Sequence, residues 1–149
     1  MPLHKPYWQT LTEAVEVLHY HPNQIVRHEA AFVLQGFPYA CELEKNLAIL
    51  TLRHSFRCDP SIVVKHESIE AVGEFFGPYS VSVAADLVKM LVYPQVYHPD
   101  VVATAEISLG YLFDYFLKVH WTQASQDLRG WLHMANPKLQ ERYRSIGLL

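Results

Sequence analysis

The sequence predicts an all-α chain of helical hairpins repeated in tandem. Three observations carry that prediction. First, His21-Pro22-Asn23-Gln24-Ile25-Val26-Arg27-His28-Glu29-Ala30 returns 38 residues later as Asp59-Pro60-Ser61-Ile62-Val63-Val64-Lys65-His66-Glu67-Ser68. Second, apolar residues follow each phrase at helical spacing, as Ile25, Ala31, Phe32 and Leu34, then Val63, Ile69 and Val72. Third, no stretch reads as a convincing strand.

Taken in chain order, the periodicity and turn signals place helices at residues 7–20, 22–35, 41–56, 60–76, 79–92, 99–118, 121–134 and 137–145. Proline suits a first helical position, where its missing N–H leaves no bond unmade. Asp59 before Pro60 and Asn136 before Pro137 read as N-caps. Gly36-Phe37-Pro38 and Gly77-Pro78 are turn signals that separate the helices of a pair. Leu43, Leu47, Ile49 and Leu50 mark one second helix; Val83, Ala84, Leu87, Val88 and Leu91 mark the next.

A third copy starts at His98-Pro99-Asp100-Val101-Val102 and runs to Leu109-Gly110, without a histidine at the motif position. The period is 39 when counted between Pro60 and Pro99 and 37 between Gly73 and Gly110. Two helices per 37–39 residues fit the HEAT class of repeat, whose units stack and bury a shared core. The expected repeats cover about residues 20–56, 58–93 and 97–135 of a single domain, with capping helices at both ends.

Composition narrows the function classes. Of 149 residues, 50% are hydrophobic and 18% charged, which fits a globular chain and not a disordered one. A net charge of −3 argues against non-specific nucleic-acid binding. No apolar run approaches the length of a membrane span, and the first residues lack a signal-peptide pattern, so a soluble, cytoplasmic protein is expected. Cys41 and Cys58 suit neither a disulfide framework nor a zinc ribbon and are expected as buried free thiols. Trp8, Trp121 and Trp131 are expected to pack in a core or an interface.

The chemistry is expected in the repeated His-Glu pair. Neighbours on a helix point about 100° apart, so His28 and Glu29 serve different partners. Stacked helices lie roughly 8–10 Å apart. His28 and His66, at equivalent places on successive repeats, can therefore share one ion. Two imidazoles and a carboxylate with open positions suit iron(II) and leave room for dioxygen. In a homodimer, Glu29 of one chain can reach the ion held by the other chain's histidines, giving a two-metal site on a symmetry axis. The plainer alternative is that Arg27-His28-Glu29 and Lys65-His66-Glu67 are surface residues repeated by duplication.

At these residues the chain resembles a known family. Ile-Val-Arg-His-Glu-Ala-Ala at 25–31 and Val-Val-Lys-His-Glu-Ser-Ile at 63–69 look like the His-Glu motifs of deoxyhypusine hydroxylase, a HEAT-repeat di-iron monooxygenase of two similar halves. The likeness covers about residues 20–117 and matches one half. It implies that His28 and His66 are iron ligands, that Glu29 ligates the iron of the other half, and that Glu67 faces the substrate amine. The implied protein is a homodimer with two irons, using dioxygen to hydroxylate a small-molecule or protein substrate such as a cationic amine or a modified protein side chain. The chain departs from the family in having half its motifs and a longer spacing between them. Gln35-Gly36 also replaces the Leu-Gly type of ending approached by Val72-Gly73.

The remaining histidines carry no motif. His4 falls in the expected N-terminal tail, His19 and His21 flank a helix end, and His98 precedes a proline; His54, His120 and His133 fall near helix C-termini. Tyr79, Tyr93 and Tyr97 are expected to pack. Two other functions fit the same repeats. One is a metal-free HEAT-repeat scaffold or a chaperone like the phycobilin lyases; the other is a two-metal hydrolase.

Overall fold

The computed structural model describes residues 10–149. The helix expected from residue 7, with Trp8 and His4, begins outside them. Among the described residues the fold is all α, as expected, in helical hairpins and without a strand. The helices are α1 (Leu11–Tyr20), α2 (Gln24–Gln35), α3 (Glu42–Cys58), α4 (Ile62–Val72), α5 (Ser80–Val92), α6 (Pro99–Lys118), α7 (Thr122–Leu132) and α8 (Pro137–Ser145), with a short 3-10 turn at Pro94–Val96. The chain forms two compact units, divided between Val72 and Gly73. The division falls between the two helices of the expected second repeat.

In the first unit α2 packs on α1 and α4, while α3 packs on α4 and α1. Leu18, Leu34, Ile49, Leu52, Phe56 and Ile69 are fully buried there. Each such side chain contributes about 1.5–3 kcal/mol through removal from water. Ala30 and Ala31 put only methyl groups on the buried face of α2. A serine pair crosses the interior, Ser68 Oγ lying 3.0 Å from Ser55 Oγ.

The helix starts differ from expectation in the two motif repeats. Pro22 and Pro60 precede the helices; Asn23 and Ser61 stand immediately before them. Asn23 Oδ1 accepts from Ile25 N at 2.8 Å, and Ser61 Oγ accepts from Val64 N at 3.4 Å. A short polar side chain just after the proline takes over the capping that was expected before it. Asp59 thus lies outside α4, where its carboxylate accepts from Ser61 N at 2.8 Å. Pro99 and Pro137 do open their helices, capped by His98 and Asn136.

The basic residue of each phrase has a structural task. Arg27 donates to His21 O at 2.8 Å and Pro22 O at 3.2 Å, at the end of α1. Thirty-eight positions on, Lys65 Nζ donates to Phe56 O at 3.2 Å and Arg57 O at 3.3 Å, at the end of α3. Both cations satisfy carbonyls at a helix C-terminus. Arg27 also grips Asp59 with two bonds, of 2.8 and 3.1 Å.

In the second unit α5 packs on α6 and α7, and α6 on α7. From α8, the buried Tyr143 donates to Leu91 O at 2.5 Å, while Arg142 grips Glu106 of α6. The helix expected to reach residue 76 stops at Val72. Gly73 follows, and a Cβ built there would lie 2.7 Å from Ser108 Oγ and 3.0 Å from Ser108 Cβ. Gly73→Ala is therefore expected to cost about 1–3 kcal/mol by overpacking, read as a lower urea midpoint. Ser108→Ala in the same chain should recover part of the loss. An unchanged midpoint in Gly73→Ala would show that α6 yields freely.

The expectation for the cysteines is corrected: Cys41 and Cys58 are both exposed, since one precedes α3 and the other ends it. Of the two options for the tryptophans, core or interface, the core is excluded for Trp131 and Trp121, which are 51% and 37% exposed. Trp131 instead lines a surface cleft with Val88, Val92, Tyr93 and Met134.

Candidate metal centre

The second turn of α2 and the middle of α4 present the repeated pair to one another. His28 Nε2 lies 3.4 Å from Glu67 Oε2. Along α4, His66 Nε2 lies 3.2 Å from Glu70 Oε2, one helical turn away. Among the described residues, His66, Glu67 and Glu70 offer ligand atoms within 4.8 Å of one another. Glu67 thus sits between two sets of groups along the α2–α4 seam: His28 contacts it from α2, while His66 and Glu70 group with it on α4, a group of which His28 is not a member.

The expected 100° separation between His66 and Glu67 does not keep their ligand atoms apart. Both side chains are long enough to bend toward a common point. Glu29 occupies the next position of α2 and is not part of the His66–Glu67–Glu70 group. Glu70 was not singled out in the sequence; its signal is the four-residue interval from His66.

Burial distinguishes the members. The Glu67 side chain is 9% exposed, against 30% for His28, 43% for His66 and 53% for Glu70. Loss of water raises the Glu67 carboxyl above the usual carboxylate range, and of the neighbouring groups, His28 pulls it down, Glu70 pushes it up and His66 pulls it down, with burial dominating. A raised carboxyl stabilises the fold in its protonated form. That contribution is lost as pH rises through the folded-state value. The ionised Glu67 therefore disfavours the metal-free fold at neutral pH. Glu67→Gln should raise the thermal midpoint of the metal-free chain at neutral pH, and the gain should vanish in acid. A midpoint equal to or below that of the unsubstituted chain at neutral pH would mean that the histidines outweigh the burial.

The imidazoles of His28 and His66 are a donor type that suits a borderline divalent ion such as iron(II), and a positive charge nearby would offset the desolvation of Glu67. Around the donors the surface is apolar. Ile25 and Phe32 are 57% and 58% exposed, and on the helix they fall between His28 and Glu29. Ile62 and Val63 are also exposed, beside His66 on α4. Residues expected from periodicity to face the core, Ile25, Phe32 and Val63, thus point outward.

The other described histidines lie elsewhere. His98 Nδ1 accepts from Asp100 N, and His21 Nδ1 from Asn23 N, each at 3.1 Å. His120 follows α6 at a positive φ of 60°, and His133 caps α7. The His19 imidazole is held below its usual value, by burial first and by His54 second. No helix of the described residues is long and apolar enough to cross a membrane. The chain matches no protein-family model, no curated protein and no solved structure.

Proposed function

We propose that the chain is a homodimeric, iron-dependent hydroxylase, with its ion in the α2–α4 seam. The observation that carries this reading is the buried Glu67 carboxylate, 3.4 Å from His28 and grouped with His66 and Glu70. The likeness of residues 25–31 and 63–69 to the His-Glu motifs of deoxyhypusine hydroxylase supports it.

In the proposal His28 and His66 hold the ion, and Glu29 of the partner subunit completes its ligands. Such an ion supplies dioxygen activation when bound. In the net reaction one oxygen atom enters a C–H bond. The other leaves as water, with electrons and protons from an external two-electron reductant. Glu67 attracts a cationic group of the substrate, because its dehydrated carboxylate gains from a nearby positive charge. Glu70, more exposed, guides that group in. Ile25, Phe32, Ile62 and Val63 support the dimer: exposed apolar side chains beside the donors can pair across a symmetric contact and exclude water from the site.

Metal content and solution mass test the reading together. About one iron per chain in a dimer is expected after loading with iron(II). Glu67→Ala should keep that iron and lose turnover. Loss of iron in Glu67→Ala would make Glu67 a ligand and remove the need for the partner subunit's Glu29. A metal-free monomer that folds equally well would overturn the proposal in favour of a binding scaffold.

A further inference from the structure

A second group of metal-type donors stands at the C-terminal ends of α1 and α3. A pocket of about 320 Å³ lies where the ends of α1 and α3 meet. His54 and Cys58 line it from the last turns of α3, four residues apart and so on one face. His19, in the last turn of α1, brings its ring edge-on to His54 with centroids 5.1 Å apart. Among the pocket's other polar groups, Arg27 and Asp59 bind each other, and His21 uses Nδ1 to accept the Asn23 N–H. That bond puts the His21 proton on Nε2 in the neutral ring and leaves it no lone pair for a metal.

We propose that His19, His54 and Cys58 form a second metal site, which takes a zinc-type divalent ion independently of the iron reading. Two imidazoles and a thiolate are the nitrogen and sulfur donors that zinc favours. The seam between α2 and α4 offers only nitrogen and oxygen, so the two sites select different ions. Three protein donors leave the fourth tetrahedral position to water. The three donors are not all within 4.8 Å of one another in this structure, so binding requires rotamer changes of the exposed His54 and Cys58.

Cobalt(II) titration of the full chain tests the site, because thiolate ligation produces a near-ultraviolet charge-transfer band that the sulfur-free seam cannot give. The band is expected to saturate at one ion per chain and to be abolished by added zinc. It should disappear in Cys58→Ser, persist in Cys41→Ser, and require about a hundredfold more cobalt in His54→Ala, the upper end of what removing a group that merely supports a ligand costs. Circular dichroism checks that these surface variants remain folded. Absence of the band, or its survival in Cys58→Ser, would overturn the proposal. A band that survives His28→Ala unchanged separates this site from the seam.

Discussion

In His28→Ala, iron and turnover are expected to disappear together while the helices remain. Perturbing a group that merely supports a ligand already weakens a metal site by roughly 10–100-fold, so loss of an imidazole ligand should reach at least the upper end of that range. The imidazole also offsets the buried negative charge of Glu67, being the strongest of the groups that pull its carboxyl down. Its loss leaves Glu67 with less compensation. Iron bound at about a hundred times its dissociation constant stabilises a fold by roughly 2.7 kcal/mol. The iron-dependent rise in thermal midpoint expected of the unsubstituted chain should therefore be absent from the variant. His66→Ala should behave alike. Metal analysis and thermal melts with and without iron(II) check both. Full iron content in either variant would refute the ligand assignment.

Arg27→Ala is expected to be the more damaging change to the fold, although it removes no ligand. The Arg27 side chain is 11% exposed and Asp59 8%, so the pair is nearly dry. Breaking a buried pair by removing one partner costs about 3–5 kcal/mol, because the other charge stays behind unpaired. The same guanidinium holds His21 O and Pro22 O. For a chain of this size the thermal midpoint should fall on the order of 10 °C. Arg27→Met combined with Asp59→Leu should lose much less, since no charge is stranded. A loss in the double variant as large as in Arg27→Ala would show that the carbonyl contacts, and not Asp59, carry the effect.

The existence and approximate place of the helices and the repeat were legible because their signals are local, although the starts of α2 and α4 and the end of α4 fall two to four residues from expectation. Capping residues, turn glycines and the recurrence of the phrase around Pro22 and Pro60 need no knowledge of partners. Glu70 was hidden by the same comparison that exposed His66. Its counterpart one period earlier is Phe32, so the residue does not repeat. The outward direction of Ile25, Phe32 and Val63 was also not legible. Periodicity says that residues share a face, but when a helix is apolar on more than one side it does not say which side is covered. Arg27 and Lys65 read as ordinary surface cations next to a functional motif. Their partners, the final carbonyls of α1 and α3, become neighbours only after the hairpins close. The His19–His54 pairing failed to show for a related reason: the four-residue interval to Cys58 is local, whereas His19 arrives from another helix.

The anchoring of Arg27 and Lys65 has one more consequence. Each cation is tied to the end of the preceding helix, and each is followed directly by its histidine. The rotational phase of α2 and α4 about their own axes is thus locked one residue upstream of the imidazoles. What aims the histidines is separate from what they do. Different chemistry can be written at positions 28 and 66 without retuning the scaffold, whereas a change at 27 or 65 swings the neighbouring side chain off target even when the donor itself is intact.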